Sequence, residues 1–216
     1  MTNVFVTGAS SGIGLAVAEK FLGEGCAVCG FDIRPGRIEH EHYRHFLFDI
    51  RSTDWADFPA PEILVNNAGT LEEADAIDVN LCGTIRFTEH FQDTPSLRSV
   101  LFIASASARN GAEFPLYVAS KAGLVGYMKN RALYLARRGV TCNSISPGGV
   151  ITPANRHILD DPALYAAVKA ETLLGKWAQS GEIADLAWYL TMVNRSITGE
   201  DILIDNGEML RSNFIW

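Results

Sequence analysis

The chain has 216 residues, 48% of them apolar and 20% charged, which suits one folded domain with a sizeable core and excludes a chain too polar to fold. Its formal net charge is -7 at pH 7 and Arg137-Arg138 is its one adjacent basic pair, which argues against a nucleic-acid partner. No apolar run approaches the roughly 20 residues of a membrane span, and "MTNVFVTG" has none of the regions of a signal peptide, so a cytoplasmic protein without a membrane partner is expected.

In chain order, the strand candidates are "NVFVT", "CAVCGF", "HFLF", "EILVNN", "SVLFIAS", "TCNSIS" and "DILID", separated by helical patterns. This alternation predicts an α/β fold, a doubly wound parallel sheet with helices on both faces. The strands are nearly unbroken apolar runs, as expected when both faces of a sheet are covered.

The first strand runs into "TGASSGIG", Thr7 to Gly14, and then into a segment whose Leu15, Ala18 and Leu22 recur at helical spacing. A glycine turn between strand and helix lets backbone approach a pyrophosphate, and the helix N-terminus offers it free N–H groups and partial positive charge. The spacing is G-x-x-x-G-x-G, so its place after a strand says more than the pattern itself. Asp32, in "GFDIRP", ends the second strand eighteen residues after Gly14. A carboxylate there binds the hydroxyls of an adenosine ribose and repels a 2′-phosphate, which favours NAD over NADP. Arg34 and Arg37 follow closely and would soften that preference.

Cys26 and Cys29 form a C-x-x-C, but on a strand residues three apart face opposite ways, so free thiols are expected. "HEHYRH" groups His40, His42 and His45 with Glu39 and Glu41; its place before the third strand predicts a solvated loop and no metal site. Between Asp49 and Asn66 the chain is short, with room for one helical turn around "TDWADF".

Tyr117 and Lys121 stand as Y-x-x-x-K, one helical turn apart. Free tyrosine, with a pKa near 10, is a poor base at neutral pH, and a neighbouring cation favours its phenolate. Moving a hydride to or from a carbinol carbon needs such a proton-handling group.

Together "TGASSGIG", "NNAG" (Asn66 to Gly69), "DVN" ending at Asn80, Tyr117 with Lys121, and "SPGGVITP" (Ser146 to Pro153) resemble the classical short-chain dehydrogenase/reductase family over nearly the whole chain. The resemblance implies a single Rossmann-type domain over residues 1–216, with a mostly seven-stranded sheet and a substrate lid over about 153–175. It implies an NAD(H) cofactor, NADP(H) being less favoured. The cofactor would be held by Gly8, Ser10, Ser11, Gly12, Ile13, Gly14, Asp32, Ile33, Asp49, Ile50, Asn67, Ala68, Gly69, Tyr117, Lys121, Pro147, Gly148, Val150 and Thr152.

For catalysis it implies Tyr117 as acid and base, Lys121 also holding the nicotinamide ribose, Asn80 holding a water that links Lys121 to solvent, and a serine on the substrate oxygen. The family's usual serine place, thirteen residues before the tyrosine, falls on Ala104. Aligning on the strand end favours Ser105 with a loop one residue shorter, and Ser107 is the competitor. The expected activity is oxidation of a secondary alcohol or reduction of its ketone; a dinucleotide-binding sensor that does no chemistry is the alternative. Ile151, Ile158, Leu159 and Tyr165 of the lid point to an apolar or cyclic substrate. A homodimer or homotetramer is implied, with Leu124, Tyr127, Met128 and Leu135 offering apolar surface.

Overall fold

In the computed structural model, residues 1–55, 57–112 and 114–210 are described. The strands are β1 (Asn3–Thr7), β2 (Ala27–Asp32), β3 (Tyr43–Leu47), β4 (Ile63–Asn66), β5 (Ser99–Ile103), β6 (Thr141–Pro147), β7 (Val150–Ile151), β8 (Ala178–Gln179) and β9 (Asp201–Ile204). Seven of them make one parallel sheet in the order β3-β2-β1-β4-β5-β6-β9, and β7 pairs with β8 beside it. The seven sheet strands are those expected from the apolar runs. From β1 the chain winds outward to β3, then returns to β4 and winds the other way, so the C-terminal ends of β1 and β4 frame a topological switch point.

The helices are α1 (Gly12–Gly23), α2 (Glu73–Ala76), α3 (Thr84–Phe91), α4 (Ser107–Asn110), α5 (Pro115–Leu135), α6 (Arg156–Leu159), α7 (Pro162–Ala170) and α8 (Ser180–Trp188). A π-helical stretch, Ile77–Gly83, joins α2 to α3. Strand side chains alternate between two cores. Val4, Val6, Val28 and Val65 meet Val17 and Phe21 of α1 and Ile183 of α8. Phe5, Phe31, Leu64 and Phe102 meet Phe87 of α3 and Leu124, Met128 and Leu135 of α5. Each strand therefore needs apolar residues at both parities, which is why its sequence reads as an unbroken run. Cys26 belongs to the first core and Cys29 to the second, both as free thiols, and burial pushes Cys29 up to about 11.

Two expectations are corrected. The helical turn around "TDWADF" does not form: Thr53, Asp54, Trp55, Asp57 and Phe58 are irregular, and Ala56 lies outside the described residues. Aromatic rings cover the sheet there. Trp55 stacks on His90 with centroids 4.0 Å apart and planes 5° apart, while Phe58 meets Phe31 at 5.1 Å and Phe46 at 5.0 Å. Aromatic rings carry a large apolar area each, which lets irregular backbone cover a sheet. Nor do Leu124, Met128 and Leu135 form an outer apolar surface: they are 1%, 0% and 0% exposed, and Tyr127 packs edge-on to Phe102 at 5.8 Å. Helical spacing aims them at the sheet, and it is Leu133 and Tyr134 that face outward.

Phe31 is fully buried and touches Phe5, Phe46, Phe58 and Phe87, with centroids 4.9 to 5.1 Å away. Phe31→Ala is expected to lower the unfolding free energy by about 3–5 kcal/mol, as measured by urea denaturation.

Candidate active site

β1 ends at a turn that only glycine permits. Gly8 has a φ of 69°, in the left-handed region, and a Cβ at Gly14 would sit 2.2 Å from the Gly8 carbonyl oxygen. The first turn of α1 therefore lies directly on the turn. Ser11 at its N-cap makes no capping hydrogen bond; its hydroxyl instead accepts from Arg34 Nη2 at 2.8 Å. The N–H groups of that turn stay available to an anion, with the partial positive charge of the helix behind them.

Next to it, "NNAG" follows β4. Thr7 Oγ1 accepts from the Asn67 and Ala68 amides at 2.9 and 3.0 Å, and Asn67 Nδ2 donates to the Thr7 carbonyl at 3.0 Å. Asp32 ends β2 with its side chain almost wholly covered. Its Oδ2 accepts from the Ser10 amide at 3.0 Å and its Oδ1 from the Arg34 amide at 2.9 Å, with Arg34 Nε at 3.5 Å.

The second half of the site is built on α5, which starts with Pro115 after the extended Phe114. Tyr117 is half-buried on its first turn. Lys121, one turn on, is only 5% exposed; its Nζ donates to the Ile103 carbonyl at 3.0 Å and lies 5.8 Å from the centroid of the Tyr117 ring. A Cβ on Gly69 would stand 3.0 Å from Asn80 Oδ1 and 3.4 Å from Lys121 Nζ, so this glycine seats the "NNAG" backbone between the two. Asn80 lies in the π-helical stretch, fully buried. Its Oδ1 accepts from the Thr70 amide at 2.7 Å, and its Nδ2 donates to the Thr70 carbonyl at 3.0 Å and to Ser120 Oγ at 3.1 Å. Just past β5, Ser105 and Ser107 are both buried with their hydroxyls 2.8 Å apart.

These parts line one cleft of about 710 Å³. Of the residues named from sequence, it holds Gly8, Ser11, Gly12, Ile13, Asn67, Ala68, Gly69, Ser105, Tyr117, Lys121, Pro147, Gly148, Val150 and Thr152. Ser10, Gly14, Asp32 and Asn80 stand behind its wall. Three others are not among the residues lining it: Ile33 is exposed, Ile50 is in the second core, and the Asp49 carboxyl is bound by Arg51 at 2.8 Å and held below the usual carboxylate range by it.

Of residues 153–175, expected to form a lid, Pro153, Ala154, Asn155, Ile158, Val168 and Glu171 line the cleft, while Tyr165 packs edge-on to Trp177 at 5.9 Å. Sequence reading missed Thr70, Ser120, Trp177 and Glu208. For Trp177 a signal was present in the second glycine of "SPGGV": a Cβ on Gly149 would be 2.2 Å from its ring. The histidines of "HEHYRH" act locally, His45 bonding to Tyr43 Oη at 3.0 Å and to the Arg34 carbonyl at 2.9 Å.

A glycine cradle under a helix N-terminus, at the switch point of a parallel sheet, fits a dinucleotide pyrophosphate. Comparison with known proteins agrees. Residues 56–208 match the family model described as enoyl-(acyl carrier protein) reductase. The 3-oxoacyl-acyl-carrier-protein reductase FabG of Salmonella typhimurium is 29% identical, over 94% of this chain and 95% of its own. A 4-hydroxyisoleucine dehydrogenase mutant complexed with NADH and succinate superposes with a TM-score of 0.88 at 25% identity, over 98% of this chain and all of that one. An Agrobacterium tumefaciens protein with bound NADP, described as a 2-deoxy-d-gluconate 3-dehydrogenase, superposes at 0.87 with 26% identity, over 97% of each chain. The chain belongs to the classical short-chain dehydrogenase/reductase family. It is an oxidoreductase with a Rossmann-type site for a nicotinamide dinucleotide. Among the described residues no helix is long and apolar enough to cross a membrane.

Replacing Gly14 with Ala puts a methyl group on the Gly8 carbonyl. The variant is expected to lose NADH affinity by about tenfold or more while keeping its far-ultraviolet circular dichroism, as read by NADH fluorescence titration.

Proposed function

We propose that the protein is an NAD(H)-dependent oxidoreductase that interconverts a secondary alcohol and its ketone, with Tyr117 as general acid and base. The observation that carries this reading is the buried Lys121 ammonium beside the Tyr117 ring, in the same cleft as Ser105 and the glycine turn. A nicotinamide dinucleotide, when held by the glycine turn, would supply or accept the hydride. The residues handle the proton and the geometry. Tyr117 takes the hydroxyl proton in oxidation and returns it in reduction. Lys121, a cation beside the ring, favours the phenolate. Its bond to the Ile103 carbonyl keeps that charge in place.

Ser105 donates to the substrate oxygen, and the Ser107 hydroxyl orients it. Asn80 ties the π-helical stretch to Thr70 and Ser120 beside Lys121, where it would support a water leading to solvent. Ile158, Val168 and Trp177 form an apolar wall of the cleft and favour a substrate with an apolar or cyclic part. Lid motion over 153–175 and assembly into a homodimer or homotetramer belong to the same proposal, and light scattering would test the assembly.

The preference for NAD(H) rests on the Asp32 carboxylate at the end of β2. Arg34 lines the cleft, but it is engaged by Asp32 and Ser11, which limits what it can offer a 2′-phosphate. NADH is expected to bind more tightly than NADPH, and Asp32→Asn to narrow the gap. A wild-type preference for NADPH would reverse the role given to Asp32.

Turnover is best sought by screening ketones and secondary alcohols through NADH absorbance. Tyr117→Phe is expected to lower kcat by roughly 10²–10⁴-fold with NADH binding retained. Substantial residual turnover would remove Tyr117 from the mechanism.

A further inference from the structure

We propose that Asp201 and Arg109 are positioning residues that clamp the serine loop to the last strands of the sheet. The proposal rests on the catalytic reading of Ser105. In the β6–β9 register Asp201 lies opposite Ser144, with Ser146 two residues on along the same face. Ser144 and Ser146 both donate their hydroxyls to Asp201 Oδ1, at 2.6 and 2.7 Å. Arg109 on α4 donates through Nε to Asp201 Oδ2 at 2.8 Å, and its Nη2 reaches both the same oxygen, at 2.8 Å, and the Asp201 carbonyl. The Asp201 side chain is 7% exposed, and every one of these bonds leads to the sheet edge or to α4.

A buried carboxylate is costly unless fully paired. Small apolar residues at 144, 146 and 201 would fill this edge without that cost, but they would not reach across to α4. That reach is what the charge provides. α4 is one turn long, from Ser107 to Asn110, and such a turn does not hold itself. Ser105 is fixed on one side by β6, through Ala104 N to the Ile145 carbonyl and Ala106 N to the Pro147 carbonyl, both at 2.8 Å. On the other side it is fixed by Ser107, whose amide donates to Ser105 Oγ at 3.2 Å. Ser107 begins α4, so the Arg109–Asp201 pair anchors the second of these two supports.

The test compares wild type with Arg109→Met, Arg109→Lys and Asp201→Asn, using NADH and the ketone with the highest wild-type turnover. Hydrogen exchange of residues 104–112 is followed on the same proteins. Arg109→Met and Asp201→Asn are expected to lower kcat by about 10- to 100-fold with KM for NADH within about twofold, and to speed exchange across α4. Arg109→Lys should recover part of kcat. Wild-type kcat in Arg109→Met, or unchanged exchange across α4, would overturn the clamp while leaving the reading of Tyr117 intact. Wild-type protein that turns over no ketone would instead sink the catalytic reading on which the clamp depends.

Discussion

Two parallel strands that part in opposite directions leave a seam, and everything in this protein's cleft depends on how that seam is closed. β1 and β4 lie side by side, and beyond them the chain turns into α1 on one side and into "NNAG" on the other. The Thr7 hydroxyl accepts two amides from the second strand's extension, and the Asn67 amide returns to the first. With the seam closed, Gly14 can lie against Gly8 and point the N-terminus of α1 into the cleft. A side chain at either glycine would collide with backbone or with Asn67. The electrostatic end of a helix is thus set by a steric contact.

Covering both sheet faces is the second requirement, and the chain meets it economically. α1 and α8 cover one face, and α3 and α5 the other. Over β2 and β3, where Phe87 of α3 reaches Phe31, Phe31, Phe46, Phe48, Trp55 and Phe58 close the second face as a set of stacked, tilted and edge-on rings. The irregular segment between β3 and β4 covers the flank of the sheet, whereas the cleft is built on strand ends and on α5.

Polar groups buried around the cleft divide by task. Asp32 and Asn80 spend their hydrogen bonds on holding loops, Asp32 on the glycine turn and Asn80 on the segment after Gly69. Lys121 is tied to the end of β5 and keeps its charge near Tyr117. On the far side of Ser105, Asp201 holds α4. A single strand end, at Ile103 to Ser107, is therefore gripped by a lysine, by the backbone of β6 and by an arginine–aspartate pair.

By itself the sequence determined what depends on local spacing: the strand–glycine–helix unit, the seven apolar strands, and the one-turn separation of Tyr117 and Lys121. These follow from periodicity and from backbone conformations that few residues can adopt. Only the tertiary structure decided which way each side chain faces when its partner is remote in the chain. It turned Leu124, Met128 and Leu135 inward, set Trp177 against Gly149, occupied both oxygens of Asp32, and brought Arg109 to Asp201 across 92 residues. The physical reason is that long-range pairings depend on how the layers pack, and no local pattern of residues records that.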